Sequence, residues 1–208
     1  MISIKVCGMT DPENIKHLAN LPINYIGFIF YDKSKRYVKD LNIAELNIPS
    51  HIKKVGVFVN SPLTEIDKLA KKHQLDALQI HGTESAAYCK GVKERTGLPV
   101  IKAFGVDGAF NFKFLDPYHQ TVDYFLFDTK TPQYGGSGER FDWSLLQGYH
   151  LDTPYFLSGG IDPNSIKTIL DIDDDRLKVI DINSRFEVKP GLKNITEIQH
   201  ALKTIGNE

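Results

Sequence analysis

The chain has 208 residues, 41% apolar and 25% charged, with a formal net charge of −1. That suits a single globular domain over residues 1–208 with a core of its own, and it leaves no basic excess to attract nucleic acid. No apolar run approaches the ~18 residues of a membrane span, and the opening MISIKVCGMTDPEN has no charged start followed by an apolar leader. A cytoplasmic protein with no membrane or nucleic-acid partner is therefore expected. The two cysteines, Cys7 and Cys89, form no disulfide framework. Neither CxxC nor paired-histidine spacing occurs, so no metal and no cofactor are expected.

Eight β-rich runs alternate with polar, helix-prone segments. ISIKVC (2–7) is followed by DPENIKHLANL, where Asp11 reads as N-cap and Pro12 as the first helical residue. YIGFIF (25–30) and KVGVFV (54–59) come next, then SPLTEIDKLAKKH, with Ser61 and Pro62 in the same arrangement. ALQIH (77–81) leads to ESAAYCKGVKERT, which puts Cys89 on a helix as a structural residue. VIKAF (100–104) precedes 108–120, the weakest of the helical connections. YFLFD (124–128) precedes a very short helix near Trp143–Leu146. YFLS (155–158) precedes DPNSIKTIL, starting at Asp162 and Pro163, and VIDIN (179–183) precedes ITEIQHALKTI. Such alternation implies parallel strands joined by right-handed crossovers. Eight units point to an α/β fold closed as a single (β/α)₈ TIM barrel. An open doubly wound sheet is the alternative, but its glycine fingerprint is missing after the first strand.

Strand side chains alternate between faces. With the apolar set packed beneath the helices, Lys5 and Cys7 point into the barrel while Ile4 and Val6 point out. The same reasoning sends Asp128, His81, Asp181, Asn183 and Asn60 inward, with Lys102 a further inward candidate. It sends Val55, Val57 and Val59 outward. Polar residues thus gather at the C-terminal strand ends, where barrels of this architecture carry their chemistry. Singly, Cys7 reads as readily as a small buried apolar residue, and His81 or Asn60 as an ordinary strand-end group. Their convergence is the stronger signal. Glycines cluster in YGGSG (Gly135, Gly136, Gly138), SGGIDP (Gly159, Gly160) and KPGLK (Gly191). A glycine pair after the seventh strand that leads into a helix can offer backbone N–H groups to phosphate, although a tight turn is the commoner reason for such a cluster.

KVCGMT (5–10), GFIFYDKSKRYV (27–38), VGVFVN (55–60), LQIHG (78–82), FDTKTPQYGGSGERFDW (127–143) and LSGGIDPNSI (157–166) together resemble the phosphoribosylanthranilate isomerase family of tryptophan biosynthesis. The likeness runs in order through all eight units, and the first and sixth blocks are the specific ones. It implies an Amadori rearrangement of N-(5′-phosphoribosyl)anthranilate to the 1-deoxyribulose 5-phosphate derivative, a small phosphorylated substrate handled by a monomer or homodimer. The implied general base is Cys7 and the implied general acid Asp128. Arg36 would pair with the anthranilate carboxylate, Gly159, Gly160 and Ser184 would line the phosphate loops, and His81 and Asp181 would contact substrate. The chemistry fits these residue types. A carboxylic acid can protonate the ribose ring oxygen, and a thiolate eased by nearby positive charge, with Lys5 a contributor, can take the C2′ proton.

Two departures from the family pattern stand out. A serine–glycine pair is usual after strand 8, but here Ser184 is followed by Arg185, and Asn194 replaces a more usual aspartate. Arg185 either aims at the phosphate or turns away. Other readings are a sister sugar-phosphate isomerase, a bifunctional isomerase that also takes a histidine-pathway substrate, or a non-catalytic binder of a phosphorylated ligand. Cys7 where the histidine-pathway type carries an aspartate disfavours that type, and a paired Cys7 and Asp128 disfavours a mere binder.

Overall fold

The computed structural model describes residues 2–130 and 140–206. The strands β1 (Ser3–Cys7), β2 (Tyr25–Ile29), β3 (Lys53–Phe58), β4 (Ala77–Ile80), β5 (Val100–Val106), β6 (Tyr124–Thr129), β7 (Tyr155–Leu157) and β8 (Leu177–Ile182) form one closed parallel barrel. Closure comes from β1 pairing with β8, which sets Lys5 beside Asp181. The outer layer comprises α1 (Pro12–Leu18), α2 (Leu63–His73), α3 (Ala86–Thr96), α4 (Ile166–Leu170) and α5 (Ile195–Ile205). Short 3₁₀ segments, Phe112–Tyr118 and Trp143–Gly148, replace helices after β5 and β6, where the sequence pattern was weakest. A small antiparallel hairpin, β9 (Glu187–Lys189) with β10 (Leu192–Lys193), is inserted between β8 and α5.

Capping chemistry sets several helix starts. The Asp11 carboxylate accepts from Asn14 N at 2.8 Å with Pro12 in the first turn, as expected. Asn194 accepts from the N–H of Glu197 at the start of α5, so asparagine fills the role of the more usual aspartate. Two expected starts are corrected. α2 begins at Leu63, with Pro62 rather than Ser61 at the cap position and no side-chain cap bond. α4 begins only at Ile166, because the Asp162 carboxylate first folds 162–165 into a turn by accepting from Asn164 N and Ser165 N, each at 2.9 Å.

The apolar interior has two compartments. A large outer layer lies between barrel and helices, and a smaller plug inside the barrel contains Val55, Ala77, Ile101, Ala103, Leu126, Phe156 and Val179. Tyr25 and Tyr124 close the plug from one side, their rings 5.4 and 5.2 Å from that of Phe156. The expected faces of β1, β4, β6 and β8 hold: Ile4, Val6, Leu78, Ile80, Phe125, Phe127, Ile180 and Ile182 all pack outward. Three assignments fail. Val55 belongs to the interior plug, and by alternation Val57 and Val59 share its face, while Phe58 packs outward against Phe30 at 5.2 Å. Lys102, flanked by the interior residues Ile101 and Ala103, faces outward. It donates to Gly82 O at 2.7 Å and Ile80 O at 3.2 Å, and pairs with Glu84 at 3.4 Å. Asn60 is likewise not an interior group. It is exposed in a left-handed turn at φ 51 and accepts from the N–H of Thr83. A strand buried on both faces carries no polar–apolar alternation to tell inside from outside.

Phe156 is the largest side chain of the plug. Phe156→Ala is expected to destabilise the protein by about 3–5 kcal/mol, seen as a lower urea midpoint at unchanged m. A loss below about 1 kcal/mol would mean that the ring lacks the buried contacts assigned to it.

Candidate active site

Above the apolar plug the barrel interior turns polar. Lys5, fully buried, donates to Asp181 Oδ2 at 2.6 Å and to Gln79 Oε1 at 2.8 Å. The Gln79 amide nitrogen lies 2.7 Å from His81 Nδ1, and His81 Nε2 lies 3.5 Å from Asp128 Oδ2. Asp128 Oδ1 accepts from Thr129 N at 2.8 Å. Asp181 Oδ1 is buried with no hydrogen-bond partner among the described residues, an acceptor that a ligand donor could satisfy.

Cys7 ends β1 on this same inner face. Its tight setting explains two glycines. A side chain on Gly27 would stand 2.7 Å from the Cys7 sulfur and 3.1 Å from its Cα. Gly8, at φ +78, lies beneath Arg36, and a Cβ there would meet Arg36 Cδ at 2.6 Å and Asn183 Oδ1 at 2.9 Å. Burial pushes the Cys7 thiol above its ordinary value, and the Lys5 and Lys193 ammonium groups only partly offset it. Burial pulls Lys5 downward, but the Asp181 carboxylate and Cys7 together outweigh it, so Lys5 stands above its ordinary value and stays an ammonium.

Arg36, expected to await a substrate carboxylate, already holds one. Its Nε and Nη2 grip Glu187 through contacts of 2.9, 3.1 and 2.7 Å. Glu187 also accepts from Lys193 Nζ at 2.7 Å, and Lys193 donates on to Asn183 Oδ1 at 2.7 Å. Burial lowers Lys193 to about 8 despite Glu187. The inserted hairpin delivers both residues. Gly191, at φ +86, lets its turn lie against Thr10, whose N–H donates to Gly191 O at 3.3 Å. None of Gln79, Glu187 and Lys193 was marked by sequence. For Gln79 a signal was present, since it shares the inward parity of His81.

Gly159 and Gly160 both take left-handed backbone, at φ 90 and 61. A Cβ on Gly159 would stand 2.5 Å from Thr129 N and 3.0 Å from Asp128 Oδ1, so this rim packs directly on the carboxylate. The pair opens into the Asp162 turn and not straight into a helix. Ser184 and Arg185 begin the 3₁₀ turn after β8, with Arg185 exposed. Gly135, Gly136 and Gly138 lie outside the described residues.

A dry plug below and titratable groups on the inner face above are how a (β/α)₈ enzyme keeps water out of one end and admits substrate at the other, and the chain is a barrel enzyme of that kind. It is matched over residues 4–204 by the family model N-(5′phosphoribosyl)anthranilate (PRA) isomerase, and it belongs to that family. It is 45% identical over 205 residues to the N-(5′-phosphoribosyl)anthranilate isomerase of Parabacteroides distasonis, covering 97% of this chain and 92% of that protein. Identity to the Thermotoga maritima enzyme is 36% over 206 residues, 98% of each chain. A crystal structure of the Thermotoga maritima isomerase superposes over 100% of both chains with a TM-score of 0.84. A phosphoribosyl anthranilate isomerase solved with reduced 1-(o-carboxyphenylamino)-1-deoxyribulose 5-phosphate is similarly close, at 30% identity and a TM-score of 0.82 over 100% of both chains.

The raised Cys7 thiol has a direct consequence. The thiolate is the form above the pKa, so in the ligand-free protein its ultraviolet absorbance, taken as the difference from Cys7→Ser, should grow only above the ordinary thiol midpoint of about 8.5. A midpoint near 7 would mean that the two lysines outweigh burial.

Proposed function

We infer that this barrel mouth isomerises N-(5′-phosphoribosyl)anthranilate to 1-(2-carboxyphenylamino)-1-deoxyribulose 5-phosphate, with Asp128 as general acid and Cys7 as general base. The observation that carries the assignment is their shared placement. Both face inward above the plug, and a continuous run of polar contacts through Lys5, Gln79 and His81 lies between them.

Asp128 gives its proton to the ribose ring oxygen as the C1′–O bond breaks, and the anthranilate nitrogen lone pair forms the iminium. That cation acidifies the C2′ proton and adds positive charge beside Cys7. A thiolate that burial disfavours in the empty site is thereby favoured in the occupied one. Cys7 takes the C2′ proton to give the enolamine, which tautomerises to the ketone as O2′ loses a proton and C1′ gains one. The proton held by Cys7 is balanced by the one Asp128 gave up, so exchange with solvent resets the pair with no net gain or loss. The donation to the ring oxygen and the abstraction from C2′ are both assigned to side chains, so no cofactor is invoked. The unpartnered Asp181 Oδ1 suits a substrate N–H or O–H donor. Because Glu187 fills the Nε–Nη2 edge of Arg36, the substrate carboxylate is placed on the Nη1 side.

Backbone N–H groups around Gly159, Gly160 and Ser184 are assigned to the phosphate, with Arg185 auxiliary. All the residues invoked come from one chain, so activity as a monomer or a homodimer is expected alike. One Thermotoga maritima relative, 31% identical with a TM-score of 0.81 over 100% of both chains, is a dimeric enzyme solved as monomers. No helix among the described residues is long and apolar enough to cross a membrane, and a cytoplasmic setting would keep Cys7 reduced.

Cys7→Ala and Asp128→Asn should each lower kcat by on the order of 10²–10⁴ while the protein stays folded and binds the product analogue. Turnover is followed by anthranilate fluorescence. Near-normal kcat in either variant removes that residue from its role. For the phosphate, Gly160→Val should raise KM more than Arg185→Gly does. The reverse order would put phosphate recognition on the Arg185 side chain.

A further inference from the structure

We propose that Gln79 is a positioning residue that fixes His81 as its Nε2–H tautomer, so that His81 stabilises the carboxylate Asp128 becomes on giving up its proton. This deepens the acid–base reading above and rests on Asp128 being the acid.

The reasoning starts from a group with only one possible role. A lysine ammonium has donors and no acceptor. Lys5 Nζ lies 2.8 Å from one end of the Gln79 amide, so that end is the oxygen. The other end is then the NH₂, which donates across 2.7 Å to His81 Nδ1. An Nδ1 that accepts carries no proton, and in a neutral imidazole the proton must be on Nε2. Nε2 stands 3.5 Å from Asp128 Oδ2, within electrostatic reach but not in a formed hydrogen bond in the ligand-free site. The second oxygen, Oδ1, is already engaged by the N–H of Thr129 at 2.8 Å. Proton donation is thereby directed through Oδ2, the oxygen that faces His81.

A neutral carboxylic acid gains little from a donor at this distance. The carboxylate left after proton transfer gains more, since bonds to charged acceptors are shorter and stronger. The contact therefore acts more on the transition state than on the ground state. The opposite tautomer would turn the Nε2 lone pair toward that developing charge and oppose the step. Lys5 is thus tied to both halves of the chemistry: it lies beside the base, and through Gln79 it sets the tautomer that serves the acid.

The first test is ¹⁵N NMR of the ligand-free native protein with ¹⁵N-labelled histidine. His81, assigned by its loss in His81→Asn, should show a protonated Nε2 and an unprotonated Nδ1. The opposite pattern overturns the proposal without touching the roles of Cys7 and Asp128. The second test is Gln79→Glu, whose carboxylate still accepts from Lys5 but cannot donate to His81. It should move a proton onto Nδ1 and lower kcat at least about tenfold with KM changed less than about twofold, while Gln79→Asn, which keeps the donor, recovers part of the rate. If Gln79→Glu shows Nδ1 protonated with kcat unchanged, the tautomer has no part in catalysis and the proposal fails. If Asp128→Asn retains full activity, it is the acid assignment that fails instead.

Discussion

A fully buried lysine ammonium is the fixed point of this molecule. Lys5 has no access to water and is held at 2.6 Å from Asp181 by the pairing that closes the barrel. A buried ion pair is a poor source of net stability, because the cost of stripping water from both charges consumes most of their attraction. Its retention here is better explained by what surrounds it. The apolar plug below lowers the dielectric, and Lys5 then orders every polar group within reach: the Cys7 sulfur, the Asp181 carboxylate and the Gln79 amide.

A second buried charge cluster sits on the rim. Arg36, Glu187 and Lys193 join the loop after β2 to the hairpin after β8, and Asn183 completes the set. The hairpin is short, yet it supplies both Glu187 and Lys193. Glu187 stands low in pKa because Arg36 and Lys193 together overcome its burial. It is ionised at neutral pH and keeps Arg36 oriented before substrate arrives. In the proposed role of Arg36 toward the substrate carboxylate, its orientation is thus pre-set by a carboxylate from within the chain, which reduces the ordering cost of binding.

Much of this was legible in sequence where alternation was clean. ISIKVC and YFLFD place apolar and polar residues on opposite faces, and Cys7, Lys5 and Asp128 fall where the pattern puts them. KVGVFV failed because both faces of a barrel strand are buried, and small valines serve the crowded interior as well as the outer layer. Lys102 failed for a related reason. A buried lysine signals a partner, but not which side the partner is on, and Glu84 comes from the outer loop. Glu187 was invisible because its partner Arg36 lies 151 residues away, a meeting no local spacing encodes. Lys193 meets Glu187 and Asn183, six and ten residues away, only because a hairpin not read from the sequence folds it back on them. Motif resemblance supplied the roles of Arg36 and the glycine rims, which residue patterns alone would have left as a solvated loop and tight turns.

The central claim is that one buried ammonium organises both the base and the acid. The most direct measurement is kcat for Lys5→Met, a variant of similar length without charge, in protein whose circular dichroism matches the native form. The account predicts a folded barrel, since Asp181 can protonate once its partner is gone, and a loss of turnover on the order of 10² or more. A folded Lys5→Met protein with native kcat would contradict it.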